Sequence, residues 1–377
     1  MHLTHLHLLN FKNYTDISFS FSERLNGLVG DNGSGKTNVL DAIYYLSMCK
    51  SYLNTMDRQN IHFGELYFAI QGNWKDNEAV STVNCAVKMG SKKIVKRNKK
   101  EYERLADHIG QYPVVFISPY DGDLIAEGSE LRRKWMDGIL VQIDREYLEQ
   151  LQFYAKILDQ RNALLKSMFE HRLFDRESME VWDIQLITAG ELIHKKRQQF
   201  LEEFIPVFQK CYKEIGGNKE EVGLSYRSQL NDGSFIDLLK DSEKRDAFSQ
   251  YTNVGIHKDD LLFTINEHPA KKFGSQGQQK SFVIALRLAQ YDWLKNHLAI
   301  SPVLLLDDVF DKLDGKRVQK LIQMVTSLDF GQVIVTDTDI ERMRKLFEGL
   351  NVPSRIFEVK NQEVEIIHEI EFHESER

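Results

Sequence analysis

Hydrophobic and polar residues alternate at period two through the first stretch of the chain. Leu6, Leu8, Ile17, Phe19 and Phe21 are separated by polar positions, which predicts strands across residues 2–29 with a turn at Lys12-Asn13-Tyr14. Residues 66–72 and 79–89 repeat the alternation, with Val83, Cys85 and Val87 set against Asn84 and Lys88, and predict antiparallel strands. Val114-Val115-Phe116-Ile117, closed by Ser118-Pro119, predicts a short buried strand. From Ser129 to about Lys213 the period changes. Leu131, Trp135, Ile139 and Ile143, then Leu148, Leu151, Tyr154 and Leu158, then Trp182, Ile184, Ile187 and Leu192 recur at helical spacing, and Phe200, Phe204 and Phe208 continue the pattern. A break at Phe174-Asp175-Arg176-Glu177 predicts a helical hairpin. Past Gly216-Gly217 strands and turns return, with buried strands expected at Leu262–Ile265, Val303–Leu306 and Val333–Val335. Arg355 to Phe372 alternates like a closing hairpin.

The chain is organised around Gly30-Asp31-Asn32-Gly33-Ser34-Gly35-Lys36-Thr37, which fits the P-loop pattern G-x-x-x-x-G-K-[ST]. The apolar run Leu25–Val29 reads as a strand entering it, and Val39 to Leu46 as a helix leaving it. Backbone N–H groups of such a loop curl around phosphates at a helix N-terminus, Lys36 can reach the β- and γ-phosphates, and Thr37 can offer its hydroxyl to Mg²⁺. Far along the chain, Val303 to Leu306 delivers Asp307 and Asp308, the arrangement of a Walker B strand whose first acid holds Mg²⁺. Asp311 and Asp314 follow. Between the two halves stands Ser275-Gln276-Gly277-Gln278-Gln279-Lys280, opening a helix that continues through Phe282, Ile284, Leu286 and Leu288.

Composition narrows the function classes. Across 377 residues, 49 Lys and Arg against 56 Asp and Glu leave a net charge of −7, so nucleic acid would have to be met by a local basic surface. Two stretches qualify. Lys92 to Lys100 is dense in Lys and Arg, and reads either as a solvated hairpin or as a phosphate-contacting one. Arg132-Arg133-Lys134 reads either as a solvated helix turn or as a patch facing DNA. The Lys12-Asn13-Tyr14 turn has the same two sides, a polar hairpin or a nucleotide contact. Cys49, Cys85 and Cys211 are far apart, form neither a disulfide framework nor a zinc motif, and suit a reducing, cytoplasmic compartment. No apolar run approaches membrane-spanning length and no signal peptide is visible.

The P-loop and Walker B at opposite ends of the chain, with Ser275-x-Gly277-Gln278 upstream of Asp307-Asp308, resemble the ABC-type ATPases. Five stretches make the resemblance narrower: Gly30 to Asn38; Phe116 to Pro119 with Arg132-Arg133; Gly255-x-His257-Lys258-Asp259-Asp260-Leu261; Ser275 to Lys280; and Leu304 to Asp314. Together they resemble the RecF family, short relatives of the SMC ATPases. The resemblance implies an α/β fold of the ABC/SMC ATPase head type, with a mixed sheet core, antiparallel strands and an inserted helical lobe. The expected partition is an ATPase lobe at 1–120, a helical lobe at 121–250 and the ATPase lobe again at 251–377. It also implies that Gly30 to Thr37 bind ATP, that Thr37 and Asp307 hold Mg²⁺, and that Lys36, Asp307 and Asp308 serve catalysis. Ser275, Gly277 and Gln278 would reach the γ-phosphate across a homodimer interface, Asp311 to Asp314 would form the D-loop there, and Thr336 to Asp339 would take the switch position.

By the same resemblance the protein is an ATP-gated dimeric clamp on double-stranded DNA and single/double-strand junctions. It would be a weak, DNA-dependent ATPase that supports recombinase loading, replication and the SOS response with RecR and RecO. Four departures stand out. Asp308 is shorter than the usual glutamate, no histidine occupies Thr336 to Asp339, no glutamine lies near Ser118 to Asp121, and Ile256 replaces a proline. A transporter's ATP-driving subunit would carry that histidine and a shorter, less charged insertion. A binding module with a relic site would not keep Lys36, Thr37, Asp307 and Asp308 together.

Overall fold

The computed structural model describes residues 1–172, 175–217, 220–310, 315–325, 330–348, 350, 352–360 and 362–370. The chain forms two compact units, one of residues 1–121, 214–216 and 284–377, the other of residues 122–213 and 217–283. Residues 251–283 therefore belong with the helical unit, whereas the sequence reading placed them with the ATPase lobe.

The first unit begins with strands β1 (His2–Phe11), β2 (Tyr14–Ser20) and β3 (Leu25–Val29), then helix α1 (Lys36–Met48). Strands β4 (Tyr67–Asp76), β5 (Ala79–Lys88), β6 (Ile94–Arg97), β7 (Lys100–Glu101) and β8 (Val114–Ile117) follow. The period-two residues Leu6, Leu8, Ile17, Phe19, Val83, Cys85 and Val87 are all buried, so one face of each strand lines the core.

The second unit holds α2 (Asp123–Ala126), α3 (Ser129–Ile143), α4 (Arg145–His171) and most of α5 (Arg176–Gly216). Asp144 and Asp175 cap α4 and α5 by accepting from Tyr147 N and Ser178 N. The expected helical hairpin is present, with Phe174 of its break outside the described residues. Next come β9 (Val222–Arg227), α6 (Phe235–Ser249), β10 (Asp260–Ile265), β11 (His268–Pro269), α7 (Ala270–Phe273) and the first turns of α8 (Gln276–Leu298). The three strands pair antiparallel in the order β11-β10-β9. Between Gly216 and the helix opening at Ser275 the sequence reading expected strands and turns, and α6 corrects it. Ser234 accepts from Asp237 N to start this helix, and its buried face, Phe235, Leu239, Ser242 and Asp246, is half polar, which hides its period.

The chain returns to the first unit for the rest of α8, β12 (Val303–Leu306), α9 (Gly315–Val325), β13 (Val333–Asp337), α10 (Ile340–Phe347), β14 (Ser354–Lys360) and β15 (Glu363–Ile370). Two six-stranded sheets result. One is antiparallel throughout, in the order β2-β1-β4-β5-β6-β7. The other, β15-β14-β3-β13-β12-β8, is parallel except for the β14–β15 hairpin. Val39, Leu40, Ala42, Ile43, Tyr45 and Leu46 of α1 share one core with the inner residues of both sheets. A helix apolar on nearly every side has to be enclosed in this way. Parallel pairing of β3, β13 and β12 brings the ends of three strands, and the loops after them, to one edge.

Candidate nucleotide site

Residues 30–35 leave β3 and enter α1, so the P-loop is the bend between a buried strand and a buried helix. Gly35 caps the helix at φ 112°, a left-handed conformation, and a Cβ there would stand 2.5 Å from the Tyr14 hydroxyl and 2.6 Å from Asn13 Nδ2. Lys36 is buried, and its ammonium donates to the carbonyls of Gly30 (2.6 Å) and Asp31 (2.9 Å). The Lys12-Asn13-Tyr14 turn divides its work. Lys12 is paired with buried Asp41 at 2.6 Å, whereas Asn13 donates to Ser34 O (3.3 Å) and accepts from Asn38 Nδ2 (2.6 Å).

Asp307 and Asp308 follow β12 at the same edge. Thr37 donates its hydroxyl to both oxygens of Asp307, at 2.9 and 3.0 Å. Burial pushes the Asp307 carboxyl up to about 6. Hydrogen bonds from Thr336 and Thr37 oppose that rise, and neighbouring Asp308 adds to it. A buried carboxylate with another acid beside it is stabilised by a cation. Thr37 and Asp307 therefore suit Mg²⁺, which usually takes one or two protein oxygens and completes its shell from phosphates and water. The phosphates fit too, since the Ser34 hydroxyl is buried in the loop with no hydrogen-bond partner. Among the described residues no group of three or more His, Cys, Asp and Glu forms a protein-only metal cage.

The Ser275 stretch lies in the second unit. Ser275 is exposed. Ser275 N donates to Gln278 Oε1 at 2.7 Å, Gln278 N donates to Ser275 Oγ at 3.3 Å, and Gln278 Nε2 donates to Glu220 at 2.7 Å. This reciprocal pair is a capping box at the start of α8. Asp311 and Asp314 lie outside the described residues.

Much of the basic and family-specific sequence turns inward. Arg132 makes a two-pronged pair with Asp260 (2.7 and 3.1 Å), and Arg133 donates to Asp259 O and Ser129 Oγ. Lys134 is exposed and pairs with Glu130 one turn away. Lys93 is held by Asp57 and by Cys49 O, whereas Lys92, Lys99 and Lys100 are exposed. In the 255–261 stretch, Asp259 binds Arg197, and His257 bridges the Tyr154 hydroxyl and Thr252 O, both at 2.9 Å. Only Lys258 of that stretch is exposed. Sequence reasoning missed Arg197, Asp137 and the Arg287–Asp121–Tyr52 cluster beneath the P-loop helix, because nothing local marks them as partners.

His257 gives a pH signature. Burial, with nearby Lys258 and Arg133 acting in the same direction, lowers its pKa from an ordinary 6.5 to about 4. The unfolded chain therefore binds the extra proton first. The stabilisation is complete above pH 6.5 and disappears as pH falls toward 4. His257→Gln is expected to remove about 3 kcal/mol of this acid sensitivity, read as the difference in urea stability between pH 7 and pH 4. Equal pH dependence in both proteins would show that His257 does not carry it.

Comparison with known proteins agrees with this architecture. The family model for the RecF/RecN/SMC N-terminal domain matches residues 2–365. The chain is 48% identical over 357 residues to the DNA replication and repair protein RecF of Flavobacterium johnsoniae, covering 95% of this chain and 99% of that one. It is 47% identical over 367 residues to the RecF protein of Phocaeicola vulgatus, covering 97% and 98%. A solved structure of the recombination mediator protein RecF with ATP, from the RecFOR pathway, superposes with a TM-score of 0.88 at 27% identity, covering 97% and 98%. An Smc head domain from Pyrococcus furiosus shares the fold, with a TM-score of 0.55 at 17% identity. The chain belongs to the RecF family of DNA replication and repair proteins.

Proposed function

We propose that the protein is an ATP-dependent DNA-binding protein of recombinational repair, working as an ATP-gated dimeric clamp. The observation that carries this reading is the 2.9 Å bond from Thr37 to Asp307, which joins the two halves of one nucleotide site; the exposure of Ser275 supports it. Gly30 to Thr37 bind the phosphates of ATP, and Lys36 exchanges its two carbonyl partners for them. Thr37 and Asp307 would hold Mg²⁺, which would supply charge neutralisation for the phosphates. Ser275, Gly277 and Gln278 of a second copy complete each site.

Asp308 orients the water that attacks the γ-phosphorus. The bond to ADP then breaks, and loss of the bridging phosphate frees the subunits. Turnover is slow, because the shorter Asp308 holds water less closely than a glutamate would. The exposed lysines 92, 99 and 100 offer phosphate contacts to duplex DNA or to its junctions with single strands. RecR and RecO are the partners this reading expects, in replication, repair and the SOS response. The setting is cytoplasmic, in keeping with three buried thiols. No helix among the described residues is long and apolar enough to cross a membrane.

Sedimentation with and without ATP and Mg²⁺ tests the reading. The wild type is expected to pass from monomer to dimer only with ATP. Ser275→Arg and Lys36→Ala are expected to remain monomers. A Ser275→Arg protein that still dimerises with ATP would remove the signature loop from the interface.

A further inference from the structure

We propose that Thr336 is the positioning residue of the hydrolytic site, fixing Asp307 and Asp308 through one hydroxyl. The inference rests on the ATPase reading above and adds a role for the place where a histidine is missing. Thr336 lies near the end of β13, beside β12 in parallel register, with Val335 opposite Leu306. It is fully buried. Its hydroxyl accepts the backbone N–H of Asp308 at 3.0 Å and donates to Asp307 Oδ1 at 2.9 Å, with Asp308 Oδ1 at 3.4 Å.

A threonine hydroxyl has one proton to give. Here the proton goes to Asp307, and a lone pair takes the Asp308 N–H, so the hydroxyl is committed in both directions. The two bonds do different work. The donated one gives Asp307 Oδ1 a second hydroxyl donor besides Thr37, which helps keep the carboxylate in one rotation at the place proposed for the cation. The accepted one anchors a strained residue. Asp308 sits at φ 44°, a left-handed conformation that costs a non-glycine residue energy and persists only where its surroundings hold it. Without the Thr336 oxygen, the Asp308 N–H loses this bond at the turn that aims its carboxylate. β-Branching confines χ1, so the hydroxyl is already placed before any ligand arrives. Thr336 itself need touch neither nucleotide nor water.

Valine copies the shape without the hydroxyl, and serine copies the hydroxyl without the methyl. Thr336→Val is expected to bind a fluorescent ATP analogue within about twofold of wild type while ATP turnover falls by ~10- to 100-fold, the usual cost of losing an outer-shell partner of a metal ligand. Thr336→Ser is expected to keep most of the turnover. Should Thr336→Val fail to fold, Thr336→Ala against Thr336→Ser makes the same comparison, with low turnover expected in the first and high in the second. Wild-type turnover in the hydroxyl-free variant, or equal losses in the hydroxyl-free and serine variants, would overturn the assignment. A wild-type protein that binds ATP but never hydrolyses it would overturn the ATPase reading and this inference with it.

Discussion

Arg197→Ala is expected to destabilise the protein by about 3–5 kcal/mol, the usual cost of stripping one partner from a buried ion cluster. Arg197 comes from α5 and is 1% exposed. It donates to both oxygens of Asp137 (2.9 and 3.0 Å), to Asp259 (2.9 Å) and to Ile256 O (2.9 Å). Tyr147 and Tyr226 donate to the same two carboxylates. Removing the guanidinium leaves buried Asp259 and half-buried Asp137 without the cation that joins them. Burial already raises the Asp259 pKa, and Arg197 is the strongest influence lowering it. The damage should therefore shrink as pH falls, since the stranded acids accept protons in the folded variant before they do so in the unfolded chain. Arg197→Lys keeps the charge but loses the fork and should fall between the two. Urea unfolding at pH 7 and pH 5 checks both points. A loss below about 1 kcal/mol at pH 7 would mean the cluster is held by packing rather than charge.

Gly35→Ala is expected to weaken ATP binding by at least about a hundredfold, with the rest of the fold retained. The added Cβ would meet the Tyr14 hydroxyl at 2.5 Å, and Tyr14 is fully buried and packed edge-on against Phe19. Tyr14 cannot withdraw, so the loop must, and the amides that would line the phosphates move with it. Gly33→Ala provides the contrast. Gly33 also has positive φ, at 82°, yet a Cβ there meets nothing within 4 Å, so the cost is backbone strain alone, about 1–2 kcal/mol. Titration with a fluorescent ATP analogue separates the two. Gly35→Ala binding within threefold of wild type would show that the loop can shift without losing its ligand.

What was legible in the chain was whatever neighbours in sequence decide. The P-loop, its strand and its helix are contiguous, and period-two alternation placed most strands because a sheet face is written into adjacent residues. Asp307 was recognised from the strand before it. What stayed hidden depends on partners far along the chain. Arg132 and Arg133 read equally well as a DNA patch until Asp260 and Asp259, more than a hundred positions later, are seen to hold them. Lys93 reads as part of a basic run, yet its charge is spent on Asp57. His257, Asp259 and Asp260 stood out as a family signature without revealing that they brace the helical unit from inside. The change of unit at residue 283, inside α8, leaves no mark in composition, because an unbroken helix gives no punctuation where its surroundings change.

The capping box at the start of α8 has a thermodynamic consequence. Ser275 N–H already has an acceptor in Gln278, and the amide of Gln278 already has one in Glu220. An anion arriving there displaces bonds that exist instead of meeting bare donors, and Glu220 sets a negative charge against it. Each contact then contributes only the difference between two hydrogen bonds, about 1 kcal/mol or less, rather than its gross strength. In the proposed dimer, an interface assembled from such small differences would sit close to balance, and one phosphate, present or absent, would be enough to tip it.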